Sequence, residues 1–342
     1  LALDARKNRI LSAVVDGYVL TAEPIGSEWL AAHYDFGCKS ATLRNEMAEL
    51  SEQGYLAQPH TSAGRVPTRQ GYRYYVDRLL PVRPVPPPPR ERLTERGCDV
   101  DAVLLETCRL LADMTQYPSV ASPPTRKVAA LRRVYLTAAS PRHILLVMLL
   151  STGHVEHRVL EYEGIMDPAV LAALSCYANT RLASCDLSEA AAQAPWVAPP
   201  ELKSHQALLA RLQGAIQRAA RDLVEDHLFV EGASHILRQR EFQDVNRLEE
   251  LLQALEQESA LIEVFSQAYF GQDVTVIVGI ESRFPAMQDC SVITSPYYIA
   301  DRVGGFIGVL GPQRMRYGEA VAAVGQVARA LSQVLTQVSY WT

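Results

Sequence analysis

Lys39-Ser-Ala-Thr-Leu-Arg-Asn-Glu-Met-Ala-Glu-Leu50 carries its apolar residues, Leu43, Met47 and Leu50, at three- and four-residue spacing, the period of a helix that buries one face. Lys39, Ser40, Thr42, Arg44 and Asn45 fall at the start of that helix and off the apolar face. They are the side-chain types that reach phosphates and base edges, since Arg pairs bidentately with guanine and Asn with adenine. A helix start also offers backbone amides to phosphate. Taken alone, the segment reads equally well as a solvated helix capped by Ser40.

Its neighbours favour the first reading. Upstream, Ile10, Leu11, Val14, Val15 and Val19 give an amphipathic helix over 6–20 that stops before Pro24, because proline disfavours helical geometry in the residue preceding it. A second helix is expected from Ser27 through Trp29 and Leu30 to His33, followed by a turn at Phe36-Gly37-Cys38. Three short helices joined by tight turns form the helix-turn-helix arrangement, whose last helix enters the major groove.

Downstream, Tyr55 to Gln58 is strand-like, Pro59 to Arg65 is a turn-rich loop, and Val66-Pro-Thr68 resumes an extended path. A hairpin after the third helix is a wing. Its tip holds His60, Thr61, Ser62, Gly64 and Arg65 without an acidic residue, chemistry suited to a phosphate backbone or a minor groove; a plain surface turn is the alternative. Gly71 to Leu80 reads as one more helix, with Tyr72, Tyr74 and Tyr75 as core residues and Arg69 and Arg73 as phosphate contacts or surface residues.

Charge tempers this picture. The 342-residue chain has a net charge of -5, and residues 1–80 hold nine basic and nine acidic side chains. That unit is neutral as a whole. From Gln53 to Tyr75, however, no acidic residue occurs, so a local positive surface survives.

The run Pro81-Val-Arg-Pro-Val-Pro-Pro-Pro-Pro89 ends the first domain, because such a stretch favours extended spacer conformation. Beyond it, a helix is expected from Leu93 to Met114, then strands at Arg133–Ala139, His143–Leu150 and Val155–Tyr162. An alanine-rich, mostly helical stretch from Asp167 to about Arg240 suits self-association. A long helix from Asp244 to Tyr269, strands at Val274–Ile280 and Arg302–Leu310, and a last helix from Tyr317 to Val338 complete the chain. Strands on both sides of a helical block indicate an insertion within one α/β domain.

Other classes find little support. The longest apolar run, Ile144 to Leu150, is too short for a membrane span, and residues 1–9 carry bases with no signal-type apolar core behind them; a cytoplasmic protein is expected. Six scattered cysteines show no metal-ligand spacing, so neither a metal nor a cofactor is expected. No phosphate-loop or zinc-protease motif occurs, and Gly304, Gly305, Gly308 and Gly311 follow no dinucleotide-binding spacing. Catalysis by Cys176 or Cys290 with a distant His is a weaker reading than a buried thiol. The chain is not expected to be an enzyme.

Glu23-Pro-Ile-Gly-Ser27, Ser40-Ala-Thr-Leu-Arg-Asn-Glu-Met47 and Gln58-Pro-His-Thr-Ser-Ala-Gly-Arg-Val-Pro-Thr68 resemble signature blocks of the HrcA family of heat-inducible repressors. Glu241-Phe-Gln-Asp244, Gly279-Ile-Glu281, Asp289-Cys-Ser291 and the block from Gly304 to Tyr317 are similar to its C-terminal blocks. The resemblance runs end to end and is weakest around 82–125 and 180–235. Gln313 and Ser282 depart from the family pattern, where a small hydroxyl residue and Asn are expected.

This likeness implies an α+β multidomain chain: an N-terminal winged helix-turn-helix, a GAF-like α/β domain, and an inserted, mostly helical dimerisation domain. Combined with the pattern above, it places the DNA-binding domain at 1–80, a Pro-rich linker at 81–91, the GAF-like domain at 92–185 and 250–342, and the dimerisation region at 186–249. It further implies a nucleoid-associated homodimer that represses chaperone operons by binding the CIRCE inverted repeat in double-stranded DNA, modulated by the GroEL chaperonin. The DNA contacts would be Lys39, Ser40, Thr42, Arg44, Asn45, His60, Thr61, Ser62, Arg65 and Arg69. A dimer and an inverted repeat share one two-fold axis, and pairing doubles the phosphate contacts of a neutral domain. Two rival expectations are a metabolite-sensing GAF-like domain and a protein-binding adaptor.

Overall fold

The computed structural model describes residues 3–60, 63–81, 85–89, 92–93, 99–124, 130–151, 155–162, 167–183, 185–222, 228–266, 273–279 and 287–341. The side chain of Asp4 accepts the Lys7 amide at 2.8 Å and caps helix α1, Ala5–Thr21. Helices α2, Ser27–His33, and α3, Ser40–Glu52, follow. Their apolar faces, among them Ile10, Leu11, Val14, Leu30, Leu43, Met47 and Leu50, are buried together, as the spacing requires.

Gly54, at φ +83°, turns the chain out of α3 into a two-stranded hairpin, β1 at Leu56–Ala57 and β2 at Val66–Pro67. Thr68 then caps α4, Arg69–Tyr74, which continues as a wider π-turn over Tyr75–Leu79. Tyr72 and Tyr75 are buried core residues as expected, whereas Tyr74 is half-buried at the edge of that core. Within the expected linker, Pro88 is buried and the Val85 carbonyl accepts the Gln326 side chain at 3.0 Å. That stretch is tied to the body of the protein at this point.

The second unit is a five-stranded antiparallel sheet in the order β7-β3-β10-β9-β8: β3 is Ser119–Ala121, β7 Phe229–Glu231, β8 Thr275–Val278, β9 Cys290–Ile299 and β10 Arg302–Pro312. Helices α5, Val100–Thr115, and α11, Tyr317–Trp341, cover one face. Helices α9, Val245–Glu256, and α10, Glu258–Phe265, cover the other. Both central strands are therefore buried on both sides, and their glycines serve close packing: a Cβ on Gly304 would meet the Tyr297 ring at 2.6 Å.

Three expectations are corrected here. The single helix from Asp244 to Tyr269 is two helices that break at Gln257, whose backbone is extended; residues 267–270 lie outside the described ones. Strand β9 was not expected at all, because Pro296 and five hydroxyl residues, Ser291, Thr294, Ser295, Tyr297 and Tyr298, hide a strand whose neighbours on both faces are protein. Arg92 and Leu93 are helical as expected, but the helix does not run on unbroken: Asp99 is extended, accepts the Asp101 and Ala102 amides and caps a helix that begins at Val100.

The insertion is corrected most. Strands β4, Leu131–Ser140, β5, His143–Leu150, and β6, Val155–Glu161, form a separate three-stranded sheet. It packs on α6, Pro168–Arg181, α7, Leu187–Ala192, and α8, Gln206–Asp222, in one core running from Leu131 to Ala220. The inserted unit thus spans 130–222 rather than 186–249, lies between β3 and β7, and is half sheet. The strands at 131–161 belong to it and not to the larger sheet, because their inward residues Val134, Ile144, Leu146 and Met148 find their apolar partners on the insertion's own helices.

Candidate nucleic-acid interface

The hairpin is held against the three helices by short backbone contacts. Ile25 and Arg65 form an isolated antiparallel bridge. Gly64 lies so close to it that a Cβ would run into the Ile25 carbonyl. At the hairpin's other end, the Thr68 hydroxyl donates to the Gly54 carbonyl at 2.6 Å and accepts the Gly71 amide at 3.1 Å. One side chain thereby joins the end of α3 to the start of α4.

Between α3 and the hairpin runs an open groove of about 690 Å3. Ser40, Arg44 and Asn45 line it from α3, and Gln58 and Arg65 from the hairpin. Arg44 and Asn45 are exposed, and among the described residues their side chains make no hydrogen bond or ion pair. Arg65 donates from Nε to Ser51 Oγ at 2.9 Å, which uses one of five guanidinium donors and fixes the plane of the rest. Gln58 spans the hairpin by donating to the Ala63 carbonyl at 3.0 Å.

The neutral charge of the unit is distributed unevenly. On α3, Glu49 lies 2.9 Å and Glu46 3.7 Å from Lys7 Nζ, which also pairs with Asp4 at 3.3 Å; Arg6 reaches Glu46 at 3.5 Å. Hydrogen bonds that its ammonium donates to Glu49 and Asp4 hold Lys7 well above its usual range. Neither Glu46 nor Glu49 lines the groove. Helix α1 thus takes up two of the acidic charges of α3, and the groove keeps Arg44 and Arg65.

Of the ten expected contacts, the groove gathers Ser40, Arg44, Asn45 and Arg65. Lys39 is exposed at the N-cap of α3 and Thr42 is half-buried, both beyond the groove lining; His60 is exposed on the hairpin. Thr61 and Ser62 lie outside the described residues. Arg69 is corrected: its Nε donates to the Val278 carbonyl at 3.1 Å and its Nη2 to that of Gly279. It serves the second unit because α4 packs beside strand β8. Ser27, Glu28 and Gln58 also line the groove. The start of α2 adjoins the hairpin through long-range contacts that no local pattern announces, the Ile25–Arg65 bridge and the packing of Gly64 on Ile25.

Residues 101–321 match the family model described as the HrcA protein C terminal domain. A heat-inducible transcription repressor HrcA of Moorella thermoacetica is 37% identical over 99% of both chains. This chain belongs to the HrcA family. Its other relatives include heat-inducible transcription repressors HrcA from Caldanaerobacter subterraneus, 37% identical over 99% of this chain and 98% of that one, and from Nocardia farcinica, 36% identical over 97% of each. The family is one of transcription repressors and not of enzymes. A crystal structure described as a hypothetical protein superposes with a TM-score of 0.71 over 98% of this chain and all of that one, at 19% identity, which shows a shared fold of mixed helix and sheet. Among the described residues, no helix is long and apolar enough to cross a membrane.

Proposed function

We propose that this member of the HrcA family represses transcription by binding the CIRCE inverted repeat as a homodimer, each subunit using α1–α3 and the hairpin as a winged helix-turn-helix. The observation that carries this reading is the groove that sets Ser40, Arg44 and Asn45 on α3 across from Arg65 and Gln58 on the wing. Helix α3 enters the major groove, where Arg44 and Asn45 meet base edges; Lys39, Thr42, His60 and Arg65 approach phosphates. Arg69 leaves the contact set, since its guanidinium is engaged elsewhere.

The dimer is supported by the outer face of the inserted sheet. Tyr135 on β4 and Val155 and Val159 on β6 are 50%, 53% and 58% exposed. They flank Leu145, Val147 and Leu149 on β5. Among the described residues this face has no helix on it, and a second copy would bury it. The five-stranded unit corresponds to the GAF-like domain. Its sheet is packed on both faces, which favours a structural role over metabolite sensing. GroEL is the proposed modulator, consistent with a repressor whose active state depends on its fold.

The test is fluorescence anisotropy with a CIRCE duplex across salt concentrations. Affinity should fall steeply as salt rises, and Arg44→Ala should cost about 1–3 kcal/mol, the worth of one bidentate base contact. Arg44→Ala binding as tightly as wild type would sink the assignment. Failure to bind any duplex at low salt would favour a protein-binding adaptor instead.

A further inference from the structure

The DNA-binding unit and the five-stranded unit each satisfy backbone groups that the other leaves open. Helix α1 has no basic residue in its last turn, although late carbonyls of a helix need donors and favour cations. The five-stranded unit supplies them. Arg314, between β10 and α11, donates from Nη1 to the Val19 carbonyl at 2.7 Å while holding both oxygens of Glu241 at 2.6 and 3.2 Å. Arg240 reaches the Thr21 carbonyl at 3.5 Å and Glu23 at 3.1 Å.

In return, α4 supplies Arg69 to the carbonyls of Val278 and Gly279 at the end of β8, an edge strand. Gly279 is specific to this contact: it sits at φ +65°, and a Cβ would meet Arg69 Nε at 2.6 Å. The rings of Tyr72 and Tyr317 lie 6.0 Å apart between the two arginines' elements, and the apolar core runs without interruption from one unit to the other. None of these residues lines the groove between α3 and the wing, whose lining falls entirely within 25–65. Docking therefore leaves the groove accessible and fixes its direction.

We infer that Arg69 and Arg314 are positioning residues for operator recognition: by clamping the winged helix onto the sheet unit, they set the separation of the two grooves in the dimer and hence the half-site spacing accepted. The inference rests on the dimeric DNA-binding reading above. Two half-sites held rigidly bind with a high effective concentration at one spacing, whereas a loosely tethered pair tolerates many spacings and gains less at each. Arg314 is suited to such a role because its side chain is only 13% exposed and its partner Glu241 29%, so solvent screens the pair weakly.

The experiment uses full-length wild type, Arg314→Met and Arg69→Met, with anisotropy against a single half-site duplex and against inverted repeats whose spacer changes one base pair at a time. Sedimentation checks that each protein remains dimeric. Wild type should show one narrow spacing optimum. The variants should keep half-site affinity within about twofold, lose roughly tenfold or more at the optimum, and show a flattened spacing profile. Arg69→Met leaves the Glu241 pair intact and keeps the test decisive if Arg314→Met proves thermally fragile. An unchanged profile, tighter full-site binding, or equal losses on half and full sites would each overturn the inference. Wild type that binds neither duplex would instead refute the DNA-binding reading beneath it.

Discussion

Ile25 and Arg65 exchange both of their backbone hydrogen bonds, the Ile25 amide donating at 2.9 Å and the Arg65 amide at 2.8 Å. This bridge is what turns a hairpin following three helices into one wall of a groove. Gly64 beside it packs on the Ile25 carbonyl and approaches the Pro24 carbonyl, which a Cβ would meet at 2.7 Å. Backbone cannot yield as a flexible side chain can. Gly64→Ala should therefore lower stability by about 1–3 kcal/mol, as overpacking does, and should weaken operator binding by splaying the wing from α2. Gly26→Ala is the control, because its Cβ would meet nothing within 4 Å. Thermal melts and anisotropy on both variants check the contrast.

Lys7 does not line the groove, yet its ammonium lies 2.9 Å from Glu49 and 3.7 Å from Glu46 on the helix proposed to enter DNA. Lys7→Gln removes the ion pair to Glu49 and leaves Glu46 with Arg6 alone, so negative charge on α3 is less well compensated near operator phosphates. Affinity should fall several-fold at low salt, and the deficit should shrink as salt screens the repulsion beyond about 10 Å at 0.1 M. A deficit that stays constant across salt would point to a misfolded α1 rather than to charge.

The periodic parts of this molecule were legible in the sequence. Leu43, Met47 and Leu50 announced the inward face of α3, and Arg44 and Asn45 its outward one, because helix geometry ties spacing to direction. Arg69 was not legible. Its role depends on β8, some two hundred residues away, and a basic residue after a hairpin looks the same whether it meets phosphate or a strand-edge carbonyl. The insertion's border was misread for a related reason: β4 to β6 alternate as any half-covered sheet does, and nothing local says which helices cover them. Strand β9 escaped because strands buried on both faces lose the alternation that marks a strand.

The outer face of the inserted sheet gives a direct test of dimerisation. Val159 is 58% exposed and pairs in register with Leu145 across β5. Val159→Asp should leave the melting of the monomer nearly unchanged, within about 0.5 kcal/mol, as surface substitutions do. Placed against a second copy it would bury an unpaired carboxylate. Sedimentation should show monomer where wild type is dimeric, and full-site operator affinity should drop with it while half-site binding survives.

The cysteines offer a reporter for release on heating. Burial pushes the Cys108 thiol, beneath strand β7, and the Cys290 thiol, at the start of β9, up to about 12, whereas Cys176 on α6 is exposed. Since the thiolate is the reactive form, an alkylating reagent at pH 8 should modify Cys176 early and leave Cys108 and Cys290 intact until the sheet unit opens. A pKa raised by folding favours the protonated form. The stability these two thiols contribute is therefore complete below the ordinary value near 9 and is lost as pH climbs from there toward 12, so melting temperature should decline above pH 9. Mass spectrometry of the labelled protein along a temperature ramp then separates two routes to derepression. If operator binding is lost at the temperature where Cys108 becomes reactive, release follows opening of the sheet unit. Loss of binding with Cys108 still protected would place the heat-sensitive step at the winged helix, its docking or the dimer contact.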